Sequence, residues 1–109
     1  MGSADRQPLD PVLRVLLALG DDVKHGYGIM QAARERGSGV IDLLPGTLYS
    51  TIKKMLGDGL IEECDAPRGV VSEDARRRYY RVTRAGRAHA AAETRRLATL
   101  VKLGRVFLG

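Results

Sequence analysis

The side chains best suited to chemistry in this 109-residue chain form one polar and cationic set between Pro45 and Gly59. The set consists of Thr47, Tyr49, Ser50, Lys53 and Lys54. Hydroxyl and ammonium groups donate hydrogen bonds to phosphate oxygens and base edges, and no carboxylate joins them before Asp58. This composition favours contact with a polyanion, although Lys53 and Lys54 taken alone also fit an ordinary solvated helix face.

These side chains require a helix that turns them to one side. Pro45 suits the first turn of a helix, and Gly59 suits the left-handed residue that ends one. Between them, apolar residues recur at the spacing of one helical face and are expected to pack inward: Leu48, Ile52, Met55 and Leu56. Directly after this helix, residues 60–64 are predicted to form a short strand. A helix with a basic outer face that runs into a strand is typical of the recognition helix and wing of a winged helix-turn-helix.

The wing is predicted to contain two strands, Leu60–Cys64 and Arg78–Val82, joined by the long loop Asp65–Arg77. The densest positive patch of the chain lies here, in a stretch without an acid: Arg76, Arg77, Arg78, Arg81, Arg84 and Arg87. A wing arginine can enter the minor groove, where narrow A·T tracts concentrate negative potential. We expect Arg76 and Arg77 to lie closest to DNA.

Two other wing arginines have nearer partners. Arg78 and Arg81 are expected to pair with Glu62 and Glu63 across the hairpin, because opposite charges on neighbouring strands stabilise each other. That pairing would reduce what both arginines offer to a nucleic acid.

Two helices are predicted before the recognition helix. Asp10 and the proline after it begin the first helix, which runs to Gly20. This helix is more apolar than a surface helix needs, so it is buried inside the domain or partly against a second subunit. The second helix follows and runs to about Arg36, with His25 fixing its start rather than acting in catalysis. Residues 40–44 are expected to form a short extended piece that pairs with the wing.

A final helix is predicted from Thr83, a plausible N-cap, to about Phe107. Gly86 weakens its first turn. Its apolar surface has no evident partner in so small a chain, and the expected interface residues are Leu97, Leu100, Val101, Gly104, Phe107 and Leu108. The same helix from a second copy is the expected cover, and folding back on its own domain is the alternative.

Charge and composition favour duplex DNA among polyanions. The chain carries 18 basic and 13 acidic side chains, and residues 44–88 hold nine of these bases against six acids. With four tyrosines, one phenylalanine and no tryptophan, it is poorly supplied with the stacking platforms of RNA-binding and single-strand-binding proteins. A single cysteine and the lack of any apolar run of membrane-spanning length predict a cytoplasmic protein without a membrane segment.

Catalytic and metal-binding motifs are absent from the sequence. His25, Cys64 and His89 are the only soft metal ligands and stand singly. No Gly-rich phosphate loop, nucleophile motif or marked pair of carboxylates occurs. We therefore expect neither enzymatic activity nor a cofactor.

Four motifs in order carry a family resemblance: residues 25–28 (His-Gly-Tyr-Gly), residues 45–49 (Pro-Gly-Thr-Leu-Tyr), residues 59–61 (Gly-Leu-Ile) and residues 77–83 (Arg-Arg-Tyr-Tyr-Arg-Val-Thr). From Val12 onward the chain resembles the PadR family of transcription regulators, in the short form with one C-terminal dimerisation helix. The resemblance implies a phosphate contact for Tyr27, which could otherwise pack over the core. It also implies dimerisation and, for some members, response to an aromatic compound. Leu44 departs from the small polar residue usual before Pro-Gly-Thr.

Together these features predict an α+β winged helix-turn-helix with three N-terminal helices, a two-stranded wing and a long C-terminal helix. The expected divisions are a loose arm at residues 1–9, a DNA-binding domain at 10–82 and a dimerisation helix at 83–109. The expected DNA contacts are Tyr27, Thr47, Tyr49, Ser50, Lys53, Lys54, Arg76 and Arg77. The expected function is a homodimeric repressor of a partly palindromic operator, released by a small apolar or aromatic effector. The alternative is an interaction module for an acidic protein.

Overall fold

The computed structural model describes residues 9–71 and 76–109. Its elements in chain order are helix α1 (Pro11–Leu19), strand β1 (Lys24–His25), helix α2 (Gly26–Arg36), helix α3 (Pro45–Gly57), strand β2 (Ile61–Cys64), strand β3 (Tyr79–Val82) and helix α4 (Arg84–Gly104), followed by a 3₁₀ turn at Arg105–Phe107. This is the predicted α+β winged helix-turn-helix. All of the predicted N-terminal arm except Leu9, and residues 72–75 of the predicted wing loop, lie outside the described residues.

Helix α1 begins and ends at the residues expected from the sequence. The Asp10 carboxylate accepts a hydrogen bond from the backbone N–H of Leu13 at 2.9 Å, and Gly20 ends the helix with a φ of 56°. Most of its apolar side chains are buried in the core: Leu13, Val15, Leu16, Ala18 and Leu19. Of the two environments predicted for α1, the interior of its own domain is therefore the main one.

The wing strands form as predicted, but a third strand joins them at an unexpected place. The sheet is antiparallel with the order β1-β3-β2, and Ile61 faces Val82 while Lys24 faces Tyr80. The prediction that residues 40–44 pair with the wing is wrong. Residues 38–41 form a turn, in which the N–H of Val40 donates to the Gly37 carbonyl at 2.9 Å, and residues 42–44 lead without regular structure into α3. Their apolar character has another cause, because Ile41 and Leu43 are buried in the core.

Asp22 holds the start of β1 and the end of α2 together. Its carboxylate lies 3.3 Å from Lys24 Nζ and 3.0 Å from Arg36 Nη2. Hydrogen bonds from these two cations lower the pKa of Asp22, and the bond from Lys24 has the larger effect. The carboxylate therefore stays ionised to a lower pH than an isolated aspartate.

Helix α3 packs on the core through the predicted stripe, with one exception. Leu48, Ile52 and Met55 are buried, whereas the Leu56 side chain is 37% exposed, so the expectation that Leu56 packs inward is wrong. Each residue advances the helical direction by about 100°, which carries Leu56 past the edge of the stripe. Thr51 takes the buried position instead.

The start of α4 is joined closely to the end of α3. The Thr83 hydroxyl accepts from the N–H of Gly86 at 3.1 Å and donates to the Gly59 carbonyl at 2.6 Å, so Thr83 is the predicted N-cap and also a bridge. A Cβ at Gly86 would overlap the carbonyl oxygen of Leu60. Gly86 therefore allows the close approach of helix and strand.

Candidate nucleic-acid interface

The outward surface of α3 follows from its helical geometry. Gly46, Ser50 and Lys53 point away from the buried stripe and lie within about 60° of one another around the axis. The Ser50 hydroxyl donates to the Thr47 carbonyl at 3.1 Å, which leaves its lone pairs outward. We call Gly46, Ser50 and Lys53 the outer face of α3.

The two lysines of α3 have different surroundings. Lys54 Nζ donates to the Asp58 carboxylate at 2.7 Å, and this hydrogen bond raises the pKa of Lys54. Lys53 forms no ion pair with any residue in the described ranges. Lys53 therefore presents its full charge on the outer face, while Lys54 stands at the side with a bound carboxylate.

The other flank of α3 touches the start of α2. Tyr49 lies against Gly26, where a Cβ would stand 2.8 Å from the tyrosine Cε1 and 2.9 Å from its hydroxyl oxygen. The glycine after His25 therefore provides room for Tyr49. Tyr49 remains more than half exposed, so its ring flanks the outer face of α3 rather than entering the core.

His25 has the structural role expected for it. Its Nδ1 accepts the backbone N–H of Gly28 at 3.0 Å, which caps α2. Tyr27 stacks beside the His25 ring at a centroid distance of 6.4 Å and is 47% exposed. Tyr27 is therefore on the surface rather than packed over the core, and its phosphate contact remains a prediction.

The wing brings Arg77 beside the His25 ring, which stacks on Tyr27. Arg77 Nη1 lies 3.2 Å from Nε2 and 3.4 Å from Nδ1 of His25. Together with its neighbours it borders a surface cleft of about 590 Å³, which is lined by His25, Gly26, Tyr27, Tyr49, Arg77, Arg78 and Tyr80. Arg76 is exposed on the wing next to it. Residues predicted from separate motifs are thus adjacent in space.

The predicted cross-strand ion pairs are confirmed. Arg81 Nε donates to Glu62 at 2.7 Å, and Arg78 Nε lies 3.6 Å from a Glu63 carboxylate oxygen. The hydrogen bond that Arg81 donates to Glu62 raises the pKa of Arg81. These pairs tie β2 to β3, so both guanidinium groups are already engaged with carboxylates.

Gly46 is a candidate site residue that the sequence analysis did not select. A Cβ at this position would meet nothing within 4 Å, so packing within the chain does not require glycine here. Glycine in a helix costs about 1 kcal/mol relative to alanine. An unexplained glycine near the start of a helix that has a regular core stripe was the available indication.

The predicted dimer residues lie on the outer half of α4 and on the turn after it. Leu97 and Gly104 are half-buried, while Leu100, Val101, Phe107 and Leu108 are exposed, with Phe107 at 87%. Gly86 and Ala90 face the domain. Leu97 and Gly104 lie on the same face of α4, at helical spacing further along the helix. One face of α4 thus begins on the domain and extends beyond it.

The described part of the chain offers little support for a metal site or for a nucleophilic cysteine. No group of three or more histidine, cysteine or acidic side chains there is placed to hold a metal ion. Burial raises the pKa of the Cys64 thiol, which disfavours the nucleophilic thiolate. None of the described helices combines the length and apolar character needed to cross a membrane.

Comparisons with known proteins agree with this arrangement. The model of the transcriptional regulator PadR-like family matches residues 15–92. Transcriptional regulator Rv3488 of Mycobacterium tuberculosis is 39% identical over 97 residues, covering 89% of this chain and 81% of that protein. The crystal structure of a PadR family transcription regulator from Clostridium difficile superposes with a TM-score of 0.73 at 26% identity, over 91% of this chain and 98% of that one.

A further solved structure contains nucleic acid. Bacillus subtilis PadR in complex with operator DNA shares the fold with a TM-score of 0.62 at 18% identity, over 76% of this chain and 45% of that one. With the family model spanning most of the sequence, the assignment rests on the whole winged helix rather than on one motif. The chain belongs to the PadR-like family of transcriptional regulators, and it is not an enzyme.

Proposed function

We propose that the chain is a homodimeric repressor that binds a partly palindromic operator in the cytoplasm and is released by a small apolar or aromatic molecule. The observation that carries DNA binding is the outer face of α3, where a glycine, a hydroxyl and a cation with no ion pair among the described residues stand together. Tyr27 and Arg77 line a cleft together with Tyr49, which flanks this outer face. The Lys53 ammonium group can donate to phosphates, the Ser50 hydroxyl can accept from base edges, and a major groove admits a helix of this kind.

Gly46 strengthens the case for a groove-bound α3. The open space beside its Cα is filled by no part of the described chain. In nucleic-acid complexes, glycine permits the backbone to approach a ligand closely. We therefore expect the first turn of α3 to lie nearest to the DNA.

The proposal of a homodimer is supported by α4. Its outer half and the following turn expose Leu103, Val106 and Phe107, a patch that soluble monomers rarely display. The described chain measures 52 Å along its longest axis but only 25 Å along its shortest, in agreement with a helix that extends from the domain. A second α4 related by two-fold symmetry would cover this patch.

The dimer has a direct test in a matched pair of variants. Val101→Glu places a charge on the apolar face of α4, whereas Thr99→Glu places the same charge on the opposite side. Light scattering after size-exclusion chromatography should give a dimer for the parent and Thr99→Glu, and a monomer for Val101→Glu. A monomeric parent would contradict the proposal.

A groove between α1 and α4 supports release by an effector. It has a volume of about 270 Å³, and its walls include Leu16, Leu17, Ala90 and Ala91. Because α1 belongs to the DNA-binding domain and α4 to the proposed dimer, an apolar ligand here would change the angle between them. Ala91→Phe should fill the groove and remove any response to a phenolic compound.

DNA binding itself is tested by gel shift. The probe is duplex DNA from immediately upstream of the gene, titrated at two salt concentrations with unrelated duplex as competitor. A preference of about a thousandfold over the competitor is expected of a specific regulator. Binding that competitor and salt abolish equally would refute sequence-specific recognition and favour an acidic protein partner.

A further inference from the structure

A second cleft lies at the N-terminus of α3, away from the tyrosines. Its volume is about 560 Å³, and its lining comes from α1, α2, the turn before α3 and the first turn of α3. The lining residues that matter are Arg14, Arg34, Asp42, Leu44 and Thr47. The sequence analysis assigned no role to either arginine.

Arg14 is a buried cation that forms no ion pair with the described residues. Its side chain is only 9% exposed, and Nη1 donates to the backbone carbonyl of Asp42 at 2.6 Å. Its Nε is buried and has no hydrogen-bond partner among the described residues, and no carboxylate there forms an ion pair with it. One neutral carbonyl compensates poorly for a desolvated positive charge, so an anion in the cleft would supply what the guanidinium lacks.

The start of α3 adds backbone donors to the same place. Leu44 is the N-cap, makes no side-chain capping hydrogen bond and is 75% exposed. The first intrahelical bond runs from the N–H of Leu48 to the Leu44 carbonyl at 2.8 Å, which leaves the N–H groups of Gly46 and Thr47 for an outside acceptor. The helix dipole makes this end positive.

Arg34 completes a convergence of donors. It lies in the last turn of α2, lines the cleft and forms no ion pair within residues 9–71 and 76–109. Asp42 is the acid among the lining residues, so two arginines and a helix N-terminus outweigh it. Arg34 also shares one face of α2 with Tyr27, seven residues earlier, so the cleft adjoins the proposed DNA surface.

We infer that this cleft binds a phosphate group, held by Arg34, the Gly46 and Thr47 amides and the buried charge of Arg14. Phosphate offers several charged acceptor oxygens, which guanidinium groups and helix N-termini both recognise. Its source is either the backbone of duplex DNA or a free phosphate-bearing small molecule. Only the first source rests on the proposed function.

The first arm of the test uses inorganic phosphate alone. Melting temperatures are compared in phosphate and in chloride at equal ionic strength for the parent, Leu44→Asp, Arg34→Gln and the control Arg95→Gln. Leu44→Asp supplies a carboxylate cap that should raise the melting temperature in chloride while blocking the cleft. The parent and Arg95→Gln should be stabilised by phosphate, whereas Leu44→Asp and Arg34→Gln should bind it at least about tenfold more weakly.

The second arm identifies the source through the salt dependence of binding to a duplex of arbitrary sequence. A backbone phosphate in the cleft predicts that Arg34→Gln and Leu44→Asp each lower the salt slope by about one, while Arg95→Gln leaves it unchanged. Phosphate stabilisation with an unchanged slope, or with no DNA binding at all, assigns the cleft to a free phosphate compound. The inference would be overturned if phosphate stabilised all variants equally, or stabilised none of them, and the salt slopes of DNA binding were also unchanged.

Discussion

Replacing Gly46 by alanine should stabilise the fold and weaken DNA binding at once. The added methyl group meets no atom of the described chain within 4 Å, so it creates no strain in the free protein. Alanine is the better helix former, and the gain is about 0.5–1 kcal/mol. For a domain of this size that corresponds to a rise in melting temperature of about 2–6 °C.

The effect on binding has the opposite sign because the outer face of α3 is the proposed contact surface. A methyl group forced into a close interface costs about 1–3 kcal/mol, by analogy with overpacking in protein cores. This corresponds to an affinity about 5-fold to 150-fold lower. A loss of affinity that accompanies a gain of stability cannot be attributed to unfolding.

Gly57 provides the matched control. It also faces open space, and it lies on the same side of α3 but about 16 Å further along the axis. Fluorescence anisotropy with the upstream duplex, together with thermal melting, should give both alanine variants similar stability gains and only Gly46→Ala a large loss of affinity. Equal affinities for the parent and both variants would refute the placement of the first turn of α3 in the groove.

Three further substitutions test other contacts. Gly86→Ala should destabilise the fold by about 3 kcal/mol, because its methyl group overlaps a backbone carbonyl; an unchanged urea midpoint would contradict the close approach. Lys53→Ala should lower the salt slope of DNA binding by about one, and Lys54→Ala by less, because Lys54 already holds a carboxylate; equal decreases would count against this distinction. The lowered pKa of Asp22 means that its contribution to stability is present above about pH 4 and is lost as the pH falls through the lowered value. Asp22→Asn should therefore lower the melting temperature at neutral pH, with a difference that narrows on acidification; a constant difference would show that the charge is irrelevant.

The sequence predicted those parts of the fold that local rules determine. The cap at Asp10, the bounds of α3 and the cap at Thr83 follow from side chains within four residues of the helix ends. The cross-strand pairs of Arg78 and Arg81 follow from strand register. For the helix ends, the residues that decide the structure are adjacent or nearly so, and the pairs across the wing follow once its two strands are aligned.

The errors occur where distant segments decide. Strand β1 has two residues, too few for a periodic pattern, and it forms because β3 offers an edge. The apolar side chains of Ile41 and Leu43 suggest an extended segment that pairs with the wing, because burial beside a turn selects the same residue types as a strand does. The roles of Gly26 and Gly86 depend on neighbours far along the chain and could not be deduced from helix propensity.

The candidate site was predicted as a set of residues but not as an arrangement. The sequence treated Lys53 and Lys54 alike, and only the ion pair with Asp58 separates them. Hydroxyls and cations could be predicted from their chemistry, whereas Gly46 could not, because what it contributes is the absence of a side chain. The burial of Arg14 was not predicted, since it depends on how α1 packs on the turn before α3.

The junction between α3 and α4 shows how a dimer of this chain would control the spacing of its recognition helices. Thr83 bonds both to Gly59, just after α3, and to Gly86, in the first turn of α4. Gly86 packs on the Leu60 carbonyl without room for a side chain, so α4 cannot slide toward α3. Because these contacts are short and each involves a backbone atom, a rotation of α4 in the dimer would be passed to α3 rather than absorbed between them. An effector bound between α1 and α4 would then change the affinity for DNA by changing the angle between these two helices.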